Sequence, residues 1–168
     1  MKHCGKTLEV LDTSGFQLRN LLFKMTLNED TVDDLMQELF LKLAGSYRFA
    51  RCENPFAYAW RTAVNLALDY RRRKRPAHLT GDQDMENLDN SRPVDKLIQD
   101  EHISMIINEI YRMKHPGRDV LIMRYLEQRS FSEIAAVLEK KENHIRSVAS
   151  KALARLRSNL NGQLEIKP

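Results

Sequence analysis

The sequence predicts an all-α fold: two small helical domains joined by a flexible acidic linker, the C-terminal one carrying a helix-turn-helix. Three observations predict it. Apolar residues recur at helical spacing along most of the chain, and no strand-like alternation persists beyond a few residues. Gly and Pro are few, 6 and 5 among 168 residues. A polar, acidic stretch at 77–93, poor in large apolar residues, separates two runs of helical periodicity.

The bulk numbers bound the function. A hydrophobic content of 42% supports a packed core, and the net charge of +4 matters less than its distribution. Arg71 to Arg75 is a solid basic block, whereas 77–101 holds seven acids against Arg92 and Lys96. Such asymmetry implies regions with different partners. Cys4 and Cys52 are the only cysteines, too few for a disulfide framework, so a reducing cytoplasm is expected. No apolar run approaches the roughly 18 residues a bilayer span needs, so no membrane insertion is expected. The five histidines are scattered and no CxxC pair exists, so no metal site is expected. No P-loop, HExxH or nucleophile elbow occurs, which argues against an enzyme and against a cofactor.

Taken in order, 16–27 is the first clear helix, with the preceding Asp12-Thr13-Ser14-Gly15 reading as irregular. Thr31 is the expected cap of a second helix, with Asp34 three residues on. Val32, Leu35, Met36, Leu39, Phe40 and Leu43 form its apolar stripe, and Gly45 is placed for a left-handed residue after its end. A loop at 46–54 leads to Pro55 in the first turn of a third helix, 55–73, whose Phe56, Ala59, Trp60, Ala63, Ala67 and Tyr70 should pack inward. Pro76 ends it. Beyond the linker, helices are expected near 95–114 and 117–128, followed by the helix-turn-helix of 131–157. The domains are therefore 1–76 and 94–168, with 77–93 between them.

The helix-turn-helix points to DNA. Ile134, Ala135 and Leu138 form one apolar stripe; Ile145, Ala149, Ala152, Leu153 and Leu156 form another at i, i+4, i+7, i+8, i+11. The outward face of the second helix carries Asn143, His144, Arg146, Ser147, Ser150, Lys151 and Arg155, with no carboxylate after Glu142 until the helix has ended. Cations for phosphates and hydrogen bonders for base edges share that face.

Two further blocks, Val32 to Phe40 with Asn54 to Arg72, and Arg118 to Glu127 with Phe131 to Ala135, complete a pattern. In this order the chain resembles, from about residue 16 to 160, the extracytoplasmic-function (ECF) group of bacterial sigma factors of the sigma-70 family. The resemblance implies a promoter-recognition subunit whose partners are core RNA polymerase, promoter DNA and an inhibitory anti-sigma factor. By that resemblance Asp33, Asp34, Gln37 and Glu38 dock on the polymerase, and 143–155 reads the −35 element. Tyr58, Arg61, Thr62, Asn65 and Arg72 share one face with Asp69 and meet the −10 element, together with Arg73. The loop residues Tyr47, Arg48, Phe49 and Arg51 capture a flipped base there. Rings to stack on, amides and cations suit an unstacked single strand, and the basic block suits duplex phosphates. The acidic linker, by resemblance, threads toward the RNA path.

Three positions depart from the family. Glu139 and Gln128 stand where Gly is usual, and Val148 stands where a polar residue, often Arg, is usual. The residues taken alone also allow a conventional helix-turn-helix regulator with an N-terminal dimerisation or sensing module. A dimerisation module would need an exposed apolar face where the second helix presents Asp, Gln and Glu.

Overall fold

The structure, a computed structural model, describes residues 4–74 and 105–164. The linker at 77–93, Arg75 and the first part of the helix expected from residue 95 lie outside the described residues. Every regular element among the described residues is helical. The chain divides into two compact units, one of residues 1–79 with 136–139 and the other of residues 80–135 with 140–168.

In the first unit α1 (Cys4–Thr26), α2 (Glu29–Ala44) and α4 (Pro55–Lys74) pack against one another, and the short α3 (Tyr47–Arg51) lies beside α4. Helix α1 begins at Cys4, well before the expected Phe16. Thr7 and Val10 are buried at helical spacing from Leu18, Leu21, Leu22 and Met25, so burial decides the extension. The polar Asp12-Thr13-Ser14 segment stays helical, and the Thr13 hydroxyl donates back to the Glu9 carbonyl at 2.9 Å. At the other end Leu27 takes a left-handed φ of 56°, its N–H donating to the Phe23 carbonyl. Arg71 of α4 closes that terminus by donating to the Met25 carbonyl at 2.9 Å.

The cap of α2 is Asn28 rather than Thr31: the Asn28 Oδ1 accepts from the Thr31 N–H at 2.8 Å. Glu29 and Asp30 follow in the first turn, favourable to the helix dipole. Thr31 sits inside the helix and donates its hydroxyl to Tyr70 Oη at 3.0 Å. Gly45 was expected in the left-handed region. It adopts φ −88°, and its N–H closes the helix on the Leu41 carbonyl at 3.0 Å. A Cβ there would stand 3.3 Å from that oxygen, a tighter approach than ordinary van der Waals contact. Asn54 caps α4 through the Ala57 N–H, with Pro55 in the first turn. Ala59, Trp60, Ala63 and Ala67 are buried as their spacing predicts, while Phe56 and Tyr70 are only half-buried.

The second unit comprises α5 (described over 105–112), α6 (Gly117–Leu121) running into a π-helical turn (Ile122–Leu126), the first part of α7 (Phe131–Leu138) and α8 (Glu142–Leu164). Its core includes Met113, Leu121, Ala152 and Leu156, with Ile110, Leu153 and Leu160 packed against it. Helix α6 crosses α8 closely at Gly117, where a Cβ would meet the Ala152 methyl at 3.3 Å. Buried carboxylates are paired: Asp119 lies 2.7 Å from His115 Nδ1, and Glu109 accepts from Arg112 at 2.7 Å and from Asn159 at 3.3 Å. The Glu109 contact ties α5 to α8.

Candidate nucleic-acid interface

Helix α8 presents its predicted face as read from the sequence. Ile145, Ala149, Ala152 and Leu156 are buried, and Asn143, His144, Arg146, Ser147, Ser150, Lys151 and Arg155 are all exposed. Val148 is half-buried, on the flank of that face. The turn before α8 keeps the geometry its sequence puts at risk. Glu139 holds φ 55°, the Lys140 N–H bonds to the Ala135 carbonyl, and the Glu139 N–H bonds to the Ala136 carbonyl. Those two bonds are the 6→1 and 5→2 pair of a Schellman motif, a position glycine fills most easily. Gln128 holds φ 60° in the same way.

Helix α7 starts with a reciprocal cap the sequence reading passed over, although the Ser-x-x-Glu spacing announces it. The Ser130 N–H and hydroxyl donate to Glu133 Oε2 at 2.7 and 2.8 Å, and the Glu133 N–H donates back to Ser130 Oγ at 3.2 Å. These bonds hold the Glu133 carboxyl below its ordinary value of 4.5. Arg146 is exposed but engaged. Its Nε and Nη2 both reach Glu142 Oε1, at 2.9 and 2.6 Å, and its guanidinium stands 4.8 Å from the Phe131 ring centroid. Arg124 stacks on the same ring at 4.7 Å. Arg146 is thus held on this face by Glu142 and the Phe131 ring.

In the first unit the loop expected at 46–54 contains α3, and this corrects one assignment. Phe49 is fully buried, with 0% exposure, its ring 5.6 Å from that of Tyr58 and tilted by 53°. It anchors the segment and cannot receive a base. Tyr47 is 62% exposed, and Arg51 stands 5.0 Å from its ring centroid; Arg48 is exposed too. The outward aromatic and guanidinium groups are thus Tyr47, Arg48 and Arg51.

On α4, Tyr58, Arg61 and Thr62 are half-buried and Asn65 is exposed. The Tyr58 hydroxyl pairs with Ser46 Oγ at 2.9 Å, and Thr62 returns its hydroxyl to the Tyr58 carbonyl. Asp69 pairs with Arg72 at 3.1 Å, and Arg72 and Arg73 are exposed. Arg71, by contrast, is committed to the end of α1.

The predicted docking residues Asp33, Asp34 and Gln37 are exposed on α2, and Glu38 is half-buried. Two have intrachain partners: Asp33 pairs with Arg19 of α1, and Glu38 lies 3.3 Å from Lys42. Asp34, Glu38 and Arg73 line one groove between α2 and α4, of about 200 Å³, floored by Leu35, Leu66 and Tyr70. An apolar groove formed by Leu11, Met36, Phe40 and Leu41 borders Gln37. Sequence reading missed it because Leu41 falls outside the buried stripe, and its side chain is 69% exposed. Among the described residues no helix is long and apolar enough to cross a membrane.

Comparison with known proteins places both units. Residues 15–77 match Sigma-70 region 2, and residues 116–158 match Sigma-70, region 4. The region 2 match stands where a dimerisation or sensing module was the alternative. The chain is 23% identical to the ECF RNA polymerase sigma factor SigX of Bacillus subtilis (strain 168) over 163 residues, covering 92% of this chain and 84% of that one. It is 23% identical to SigW of the same organism over 141 residues, covering 77% and 75%. A solved structure of CnrH in complex with the cytosolic domain of CnrY aligns with TM-score 0.45 at 19% identity, over 93% of this chain and 88% of that one. With both sigma-70 regions present in one chain, and two relatives of a single type spanning them, the chain belongs to the sigma-70 family as an ECF sigma factor, a non-catalytic subunit that directs transcription initiation.

Proposed function

We propose that 1–76 docks on core RNA polymerase and opens the −10 element, that 94–168 reads the −35 element, and that 77–93 joins them. The observation that carries this reading is α8: seven polar or cationic side chains exposed over a buried apolar stripe, with Arg146 held on that face by Glu142. Asn143, His144, Arg146 and Ser147, near the helix N-terminus, read base edges; Ser150, Lys151 and Arg155 hold phosphates. Tyr47, Arg48 and Arg51, with Tyr58, Arg61, Thr62 and Asn65, receive unpaired bases, and Arg72 and Arg73 take backbone charge. No bond is made or broken in this work. Binding free energy to extruded bases offsets the few kcal/mol of unpairing. Asp34, Gln37 and Glu38 form the polymerase contact, with the apolar groove at Met36, Phe40 and Leu41 adding burial at its border. Asp33, already paired with Arg19, supports that face from its edge. An anti-sigma factor is the third proposed partner, on the strength of membership in the ECF type, and the cytoplasm is the proposed place of action.

The test is run-off transcription with purified core polymerase across a genomic library. Promoter-dependent transcripts are expected on adding the chain. Their absence, with the chain helical and bound to core, would remove the reading.

A further inference from the structure

Helix α3 must be held in place for Tyr47, Arg48 and Arg51 to face outward. A helix of five residues is far too short to persist alone. Its N-terminal end is capped by Ser46, whose Oγ accepts from the Phe49 N–H at 3.1 Å and pairs with Tyr58 Oη at 2.9 Å. Its middle is pinned by buried Phe49. Its C-terminal end is met by a residue from the start of the chain. Lys6 Nζ donates to the Ala50 carbonyl at 3.2 Å and to the Cys52 carbonyl at 2.9 Å, and stands 5.7 Å from the Phe49 ring centroid.

We propose that Lys6 is a positioning residue for promoter opening: it fixes α3 so that the Tyr47–Arg51 pair is ordered before it meets unpaired bases. This rests on the assignment of α3 to the single strand. Lys6 lies ahead of residue 15, where the match to region 2 begins, so the contact comes from a part of α1 that the match does not cover. The chemistry suits the place. The last carbonyls of a helix lack intrahelical donors and carry the negative end of its dipole, and an ammonium satisfies both. Charge-assisted bonds of this kind are roughly twice as strong as neutral ones. An ordered α3 binds without first losing conformational freedom, so the gain is realised in base capture rather than in duplex binding or core docking.

The test uses the full chain assembled with core polymerase. A short single-stranded DNA pool of random sequence is the probe, with a duplex pool as control. Lys6→Met keeps an unbranched side chain of similar length and removes the ammonium; Lys6→Arg keeps charge and donors. Lys6→Met should lose about tenfold in single-strand affinity, the scale of one charge-assisted bond. Duplex affinity and core assembly should hold, and Lys6→Arg should recover most of the loss. Single-strand affinity unchanged in Lys6→Met, while Tyr47→Ala and Arg51→Ala reduce it, overturns the role of Lys6 and leaves α3 as the contact. Parallel losses in core assembly and thermal stability, with no recovery in Lys6→Arg, make Lys6 a residue of the fold and overturn the proposal. If Tyr47→Ala and Arg51→Ala also change nothing, α3 does not meet the single strand, and the inference falls with that part of the reading.

Discussion

Arg71 Nη1 donates to the carbonyl of Met25 at 2.9 Å, tying α4 to the last turn of α1 across 46 residues of chain. The next residue, Arg72, points outward and pairs with Asp69. Two consecutive arginines of one basic block are therefore turned to different partners, because a helix turns its side chains by about 100° per residue.

Arg71→Ala should cost about 1 kcal/mol through the lost bond, lowering Tm by about 4–8 °C for a domain of this size. Arg72→Ala should leave Tm nearly unchanged and lower the slope of duplex affinity against log salt by about 0.9, the equivalent of one phosphate contact. Thermal melts beside a salt titration of DNA binding separate the two. A reversed pattern would exchange their assigned roles.

The Glu133 cap predicts an acid-sensitive α7. Its carboxyl is held below the ordinary value of 4.5 in the folded chain. The stabilisation is therefore fully present above that value and is lost as pH falls through the lower, folded one. Glu133→Gln should lower stability at neutral pH and flatten that portion of the stability–pH curve, so that the two proteins converge at low pH. Melts recorded from neutral pH downward check this; parallel curves for the two proteins would contradict it.

Glu139 holds φ 55° at the turn into α8, where an L side chain is strained by about 1 kcal/mol. Glu139→Gly relieves that strain and should stabilise the chain by about 0.5–1 kcal/mol, part of the gain being offset by the greater freedom of glycine when unfolded. Denaturant midpoints measure it. A loss of stability would mean that the Glu139 side chain contributes more than its backbone costs.

Asp34→Arg combined with Glu38→Arg should abolish co-purification with core polymerase and leave circular dichroism unchanged, since neither side chain belongs to the buried stripe of Val32, Leu35, Leu39 and Leu43. Retained co-purification with a native spectrum would move the docking surface elsewhere.

On α8, Lys151→Ala and Arg155→Ala should weaken −35 duplex binding almost uniformly across sequences, each with a shallower salt dependence. Asn143→Ala and Ser147→Ala should instead change which bases are preferred, each mismatch shifting by about 1–3 kcal/mol. Binding selections on randomised duplexes distinguish the two outcomes. A uniform loss at Asn143 would make it a backbone contact.

The periodic faces were legible from residue order alone. Val32, Leu35, Leu39 and Leu43, and Ile145, Ala149, Ala152 and Leu156, are buried because a 3–4 spacing puts them on one side of any helix they form. The seven polar side chains of α8 are exposed for the same reason. The Ser130–Glu133 cap and the Asn28 cap of α2 were equally open to reading, being local in sequence.

What residue order could not decide were the partners across long separations. Tyr47 and Phe49 are both aromatic and two positions apart in one short segment; which turns inward depends on Tyr58, Ser46 and Lys6, the last of them 44 residues before Ala50. The helical state of 4–15 depends on the surface that Thr7 and Val10 find to bury against. Arg71 and Arg72 are one letter repeated, and only the approach of α1 to α4 brings a carbonyl to one of them. Local pattern determines which face of an element is apolar, because periodicity is a property of the single helix. The partner of a polar or aromatic side chain on that face is decided by where another element ends, and that position exists only once the helices have packed.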